Sequence, residues 1–496
     1  MKKVLSFLMV VIALYLFAGN SDAEWSKIYE STYSSSEARS IRATSDGGYI
    51  VAGGYGYSIL KLYSNGAIEW QKIYTIELSD HATSVQPTAD GGYIVTGISD
   101  WNYWNEKMWI LKLNADGASE WQKTYTSDEG PYPEGNDIQQ TVDANMTPDG
   151  FIAAGVSSGF GIWVLKLNLD GSLEWQKSYS GEGTPSIRQT FDPNGSPTGF
   201  ILAGNNSYGL WVIKLNSDGL IDWERTYGYT GLTRSLNCIR PISGGGYIIV
   251  GESRTADSFS NDVLVARLAE DGAIVWHGSY GGEGREVGYE VVESRDAQNN
   301  PDGFVVAGFT ESFGKGGQDA WVFKVDGDGN LQWQKTYGGG ENDVAHSLDR
   351  AHGGGYVLAG STWSFGSNVH FWILQINENG EIPYCSAMGS SQAIVNEPEV
   401  FDPSTYTPVV GVPDPTVTTT DASPETDAFV MTPICSLAGD FNMDDAVNAS
   451  DLVVFVPGYG TTDCGSGEPC SGDIDSDGDR DGKDLSILAK TYGGSN

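Results

Sequence analysis

The chain has 496 residues, with 28 Lys and Arg against 65 Asp and Glu, a formal charge of −37 and a pI near 4.2. That excess of acid repels nucleic-acid phosphate and anionic lipid alike, so neither is expected as a partner. Hydrophobic residues at 40% and aromatics at 11% exclude a disordered chain, and 65 Gly beside 15 Trp and 25 Tyr suit short strands, tight turns and aromatic side chains filling the space between sheets.

At the start, Lys2 and Lys3 precede an apolar run from Val4 to Ala18, and Ser21-Asp22-Ala23 places small residues where a signal peptidase reads. This predicts an export signal over 1–23, cleaved after Ala23. The run is about fifteen residues where ~20 are needed to span a bilayer, so no transmembrane anchor is expected. Export permits disulfides. Of the five cysteines, Cys464 and Cys470 flank a short polar loop and are expected to pair. Cys385 and Cys435, which bracket a Pro/Thr-rich segment, are expected to do the same, leaving Cys238 free in a strand.

Residues 24–383 are built from repeats. GGYIVAG (47–53) recurs as GGYIVTG (91–97), DGFIAAG (149–155), TGFILAG (198–204), GGYIIVG (245–251), DGFVVAG (302–308) and GGYVLAG (354–360), seven copies in all. Each is followed by a strand and turn such as WILKLNADG (109–117) and, in the first six units, by a segment such as EWQKIY (69–74). Apolar positions alternate with a period of two, and Gly, Asn and Asp punctuate the turns, so each unit reads as four short antiparallel strands. One such sheet cannot bury both its faces. Seven packed radially bury one another, which predicts an all-β, seven-bladed β-propeller.

The third motif is out of step. A copy, EWSKIY (24–29), stands before the first unit, whereas the seventh unit runs into EIPYC and lacks it. The spare strand is therefore expected to complete the seventh blade as its outermost strand and close the ring, giving a monomeric propeller with no half-built edge.

Several recurring side chains are candidates for function. Lys61, Lys112, Lys166, Lys214 and Lys324 precede Glu69, Glu120, Glu174, Asp222 and Gln332 by eight residues, which reads as a structural charge ladder across a hairpin. Aromatic residues such as Phe313 and Phe365 recur in S-F-G loops and read as loop packing, while Trp101, Tyr103 and Trp104 occur in one blade alone and are candidate stacking surfaces for a glycan. On the innermost strands, Ser40, Ser84, Thr141, Thr190, Cys238, Glu290 and Ser347 are aligned with one another. Arg39, Thr83, Gln140, Gln189, Asn237, Tyr289 and His346 precede them, and the polar members of this row are candidate ligand contacts around a central funnel. Glu290 is the single catalytic candidate. Tyr289 is expected to face away from it, since strand neighbours alternate. No arginine triad can be picked out, and hydrolysis of a glycosidic bond needs a second carboxyl group.

From about 384 to 436 the texture turns to VPDPTVTTTDASPETD, an extended connector expected to lay a strand or two against the last blade. Beyond it, DFNMDDAVNASD (440–451) and DIDSDGDRDGKD (473–484) are two twelve-residue loops with oxygen donors in matching positions. Calcium takes six to eight oxygens, and this spacing wraps one ion per loop. The predicted ligands are Asp440, Asn442, Asp444, Ala446 through its carbonyl, Asn448 through water and Asp451. In the second loop they are Asp473, Asp475, Asp477, Asp479 through its carbonyl, Asp481 through water and Asp484, so two Ca²⁺ ions are expected. Asp445 stands where the sharp turn favours glycine, which Gly478 supplies in the second loop.

These motifs carry two resemblances. The unit TESFGKGGQDAWVFKVDGDGNLQWQKTYGGGEND (310–343) resembles the tandem β-propeller repeats of secreted bacterial and archaeal proteins, a family that implies a fold and leaves the ligand open. Its turn-then-Trp pattern is similar to the Trp-docking motif of quinoprotein propellers and, more loosely, to the Asp-box of sialidases, both structural. The paired loops, each leading into a short apolar segment (DLVVFV and DLSILAKTY), resemble a type I dockerin over 437–496; the second alone is also similar to a thrombospondin-type calcium repeat. A dockerin implies a small α-helical, calcium-folded domain that plugs into a cohesin-like partner on a scaffold or cell surface. The positions that read that partner are here Ala449-Ser450 and Gly482-Lys483, a departure from the usual hydroxyl-rich pair, and CGSGEPC is an unusual insertion. Two functions are thus expected: a secreted, non-catalytic binding propeller held in an extracellular assembly by its tail, or a polysaccharide hydrolase carried on the propeller and docked to a cohesin scaffold.

Overall fold

The computed structural model describes residues 24–382 apart from 31–36, 55, 77–79, 100–105, 128–132, 158–160, 228–234, 255–260 and 366–367; beyond 382 it describes six short strands that end at Cys435. The signal segment, the loop holding Trp101, Tyr103 and Trp104, and the whole tail with its calcium loops, Cys464 and Cys470 lie outside the described residues. Among the described residues no helix is long and apolar enough to cross a membrane.

Seven antiparallel four-stranded blades follow one another in chain order. The first consists of Ala38–Ala43, Tyr49–Gly53, Tyr57–Leu62 and Ile68–Tyr74, and the sixth of Glu286–Arg295, Pro301–Thr310, Asp319–Val325 and Leu331–Tyr337. The seventh takes only three strands from its own stretch of chain, Asp343–Arg350, Tyr356–Thr362 and His370–Ile376. Its fourth is Trp25–Glu30, paired in register from Trp25↔Gln375 to Tyr29↔Phe371. The expected closure of the ring is therefore present.

The core lies between blades. One cluster joins Tyr49, Val51 and Leu60 of the first blade to Val357, Phe371 and Ile373 of the seventh, all fully buried. Each blade is also clamped to the next by the Trp and Tyr of its outer strand. Trp70 Nε1 donates to the Ala115 carbonyl at 3.1 Å and its ring lies over Gly117, while the Tyr74 hydroxyl donates to the Gly117 carbonyl. Gly117 has φ +70°, and a Cβ there would meet the indole at 2.9 Å, so both backbone and space demand glycine. The clamp recurs around the circle, and Trp25 with Tyr29 makes it on Gly66. The N-terminal strand thus supplies both the pairing and the docking that the seventh unit lacks.

The charge ladder is present with additions. Lys61 lies 3.1 Å from Glu69 and 2.8 Å from Asp46; Lys112 lies 2.8 Å from both Glu120 and Asp90. Burial opposes ionisation of Asp46, but the Lys61 ammonium, the Thr44 hydroxyl and the Gly48 N–H outweigh it and hold the carboxyl at about 2. In the sixth blade, where Gln332 replaces the hairpin acid, Lys324 turns to Asp302 at 2.7 Å. The S-F-G aromatics pack as loop anchors: Phe313 lies 6.0 Å from Trp321 and Phe365 5.9 Å from Trp372.

The connector departs from expectation. Rather than resting on the last blade alone, it runs backwards around the circumference. Met388–Ser390 adds a fifth strand to the sixth blade and Ile394–Asn396 to the fifth. Val410–Gly411 then joins the third, Pro415–Thr419 the second and Pro424–Glu425 the first. Val430–Cys435 returns to the seventh, against the N-terminal strand. The outer strand of every blade exposes unpaired backbone groups, and a Thr/Val-rich segment free of tertiary competitors can satisfy them by strand addition. Among the described residues, the result is a belt that adds a fifth strand to six of the seven blades.

A candidate ligand site at the central channel

The inner strands converge on a channel with a cavity of about 380 Å³. A bulge in each inner strand sets which residues reach it. Immediately after the bulge the structure aligns Ser40, Ser84, Asp137, Ser186, Cys238, Glu290 and Ser347, all of which line the cavity. In the third and fourth blades this corrects the sequence alignment. Eight residues separate Ser40 from Gly48, but thirteen separate Asp137 from Gly150 and Ser186 from Gly199, because the first hairpin of those blades is longer. Gln140 and Gln189, with Thr141 and Thr190, are consequently displaced down the strand, away from the cavity. Gln140 accepts from the Ala89 N–H at 2.8 Å, and Gln189 accepts from the Val142 N–H at 3.0 Å and donates to the Val142 carbonyl at 2.8 Å, so both bridge neighbouring blades. Asn136 and Pro185 take their places on the lining.

Much of this ring is structural. Inner strands of adjacent blades share no ladder, so side chains at the bulge position stitch them. The Ser347 hydroxyl accepts from the Ile41 N–H at 3.2 Å, Ser40 from Val85 at 3.1 Å and Asp137 from Ile187 at 3.0 Å. Such bonds recur because every blade boundary needs one.

Two of the seven positions are carboxylates, and arginines gather on them. Arg42, Arg188 and Arg240 each lie two residues beyond a ring position and so share its face. Arg42 reaches Glu290 from across the channel at 3.1 Å, and Arg240 reaches it at 2.6 Å from the neighbouring blade. Arg188 pairs with Asp137, which also accepts from the Ser84 and Ser186 hydroxyls at 3.3 and 3.2 Å. Burial would raise the Glu290 pKa, but Arg240, Arg42, Arg188 and the Cys238 S–H outweigh it and hold the carboxyl at about 2. Cys238, a free buried thiol, donates to Glu290 at 3.0 Å, and burial with that neighbouring charge pushes it up to about 12.

Three sequence expectations are revised here. Tyr289 and Glu290 line the same cavity, because the bulge between Gly288 and Glu290 breaks the alternation of the strand. A second channel acid exists, Asp137, and a cluster of three arginines exists with it. Of the other predicted contacts, Asn237 lines the cavity and donates to the Gly288 carbonyl at 2.8 Å. His346 lies against Tyr289, ring centroids 5.3 Å apart; burial outweighs the pull of Glu37 and, with a smaller repulsion from Arg39, takes it down to about 4 and leaves it neutral at pH 7. Arg39 with Glu37 and Arg285 with Glu252 form ion pairs at the rim, each at 3.1 Å.

Among the described residues no group of three or more His, Cys, Asp or Glu side chains is placed to hold a metal ion. No family model matches the chain, and no curated protein does. Among solved structures it is similar to the Pan2 WD40 domain of Neurospora crassa, 11% identical, with a TM-score of 0.45 over 72% of this chain and 99% of that one. It is also similar to a protein of unknown function from Bacteroides caccae, 14% identical, with a TM-score of 0.34 over 51% of this chain and 93% of that one.

Proposed function

We propose that the protein is a secreted, non-catalytic binding propeller that takes a small ligand at its central channel and is attached to an extracellular assembly by a calcium-loaded, dockerin-like tail. The observation that carries the binding role is the cavity ringed by all seven inner strands, with polar side chains reaching it from every blade. Against hydrolysis stands the state of its acids. A general acid must hold a proton near neutral pH, whereas Glu290 is held at about 2 and Asp137 is bonded to Arg188 and two hydroxyls.

The tail reading rests on its donor set. Carboxylate and amide oxygens at Asp440, Asn442, Asp444 and Asp451, and at Asp473, Asp475, Asp477 and Asp484, suit a hard cation, and calcium bound there would fold the segment and present it to a cohesin-like partner. The belt supports extracellular life in another way. Cys435 stands opposite Ser26 near the start of the N-terminal strand, and Glu24, just before that strand, lies within electrostatic range of Glu381, four residues before Cys385. A Cys385–Cys435 disulfide would then close the belt into a covalent hoop around the ring.

A glycan array with matched hydrolysis assays tests the central reading. Binding without turnover is expected. Turnover that Glu290→Gln abolishes would instead establish the hydrolase.

A further inference from the structure

We propose that residues 397–409 add a fifth strand to the fourth blade, the one blade whose outer edge carries none among the described residues, with Pro403 opposite Tyr227. The belt keeps a count against the clamp tyrosines. Met388 stands opposite Tyr337, Val395 opposite Tyr280, Val410 opposite Tyr179, Val417 opposite Tyr125, Pro424 opposite Tyr74 and Met431 opposite Tyr29. Between neighbouring belted blades these positions are seven residues apart. From Val395 to Val410 the count is fifteen, one more than two such steps, and the blade passed over is the fourth. Tyr227 makes the same clamp as the other tyrosines, its hydroxyl donating to the Gly272 carbonyl at 2.6 Å.

Residues 397–409 lie outside the described residues, but both their ends are fixed on the neighbouring blades, at Asn396 and Val410. Seven extended residues span ~23 Å, and that length carries the belt from each blade to the next elsewhere on the rim. Two such steps fit between the fixed ends with one residue of slack, which puts either Asp402 or Pro403 opposite Tyr227. None of the six observed positions holds an acid, and Pro424 holds one of them in the first blade. A strand at a sheet edge is also where proline is tolerated, so Pro403 is the residue that fits. Val400, Phe401, Thr405, Tyr406 and Thr407 around it are β-branched and aromatic types suited to a strand. The open edge of Ile221–Tyr227 would accept any extended chain, but a segment tethered on both sides is present at far higher effective concentration than a second copy or a partner. With 397–409 in place, all seven blade edges are closed to a partner's strand.

Cysteine pairs in the full-length protein test the register, read by mild oxidation and peptide mapping. Lys123→Cys with Thr419→Cys joins residues that stand opposite each other two places from Tyr125, and serves as the positive control. Arg225→Cys with Thr405→Cys is the corresponding pair about Tyr227 and should cross-link within one chain as fully as the control. Arg225→Cys with Ser404→Cys should not, since strand neighbours face opposite sides. A cross-link to position 404 in place of 405 would overturn Pro403 as the residue opposite Tyr227. Cross-linking between chains, lost on dilution, would overturn the segment as the occupant in favour of a second copy. Hydrogen exchange of the unaltered full-length protein reads the same edge and stands if the cysteine variants do not fold. Amides of residues 221–227 should exchange at rates within about threefold of those of residues 274–280 and 331–337, the belted outer strands of the fifth and sixth blades. Exchange faster than that relative to both would overturn the proposal.

Discussion

Glu290→Gln removes the one anion that Arg42 and Arg240 share while keeping the shape of the side chain. The carboxyl is held at about 2 against an ordinary 4.5. At ~1.4 kcal/mol per unit, that difference is worth about 3 kcal/mol of folding stability at neutral pH. Breaking a buried pair by deleting one partner costs ~3–5 kcal/mol, an independent figure of the same size. Because the folded pKa is depressed, the stabilisation is complete above the unfolded value near 4.5 and drains away as pH falls toward 2. For an unfolding unit of this size, 3 kcal/mol corresponds to roughly 4 °C in Tm. Paired calorimetric melts of wild type and variant at pH 7, 4 and 2.5 should show that gap at pH 7 and its narrowing to about a quarter by pH 2.5. A variant as stable as wild type at pH 7, or a gap that does not change with pH, would refute the account of Glu290 as an ion-pair anchor.

Three further outcomes follow from the fold and the tail. Trp25→Ala empties a fully buried site at the ring closure and removes the bond to Gln375 at 2.9 Å, so urea unfolding should register a loss of about 3–5 kcal/mol; an unchanged midpoint would detach the N-terminal strand from the ring's stability. Chelation with EGTA should abolish a separate calorimetric transition of residues 437–496 and leave the propeller transition in place, and superimposable traces with and without calcium would remove the metal assignment. Peptide mapping of the exported, non-reduced protein should recover a Cys385–Cys435 cross-link, worth about 4 kcal/mol for a closed loop of that length. Recovery of both residues as free, alkylated thiols would leave the belt open.

The architecture was legible because it is periodic and local. Each GGYIVAG-type strand, each Asn/Asp-Gly turn and each EWQKIY-type strand carries its own hydrophobic alternation and turn chemistry, and seven repetitions leave little freedom in how they stack. Even the closure was readable, since the displaced EWSKIY matched the motif that the seventh unit lacks. The belt was not. A Pro/Thr-rich segment shows no pattern of its own, and its strands exist only because blade edges already stand waiting along the circumference.

The channel divides the same way. Asn237 and His346 were found from the repeat because Cys238 and Ser347 stand eight residues before Gly246 and Gly355, as Ser40 does before Gly48, and Glu290 with Tyr289 was found with thirteen residues allowed before Gly303. Asp137 was missed, and Gln140 and Gln189 were misplaced, because the third and fourth blades share the sixth blade's longer first hairpin, and without the extra residues allowed for, the hydrophobic pattern aligns just as well. A signal was available in the extra residues between Asp137 and Gly150. The arginine cluster had none, since Arg42, Arg188 and Arg240 are separated along the chain by whole blades and are brought together only through Glu290 and Asp137. The sequence by itself determined the blades, their number and how one docks on the next, since those depend on neighbours along the chain. The tertiary structure alone decided which charges face one another, since radial packing brings residues from every blade to a common centre.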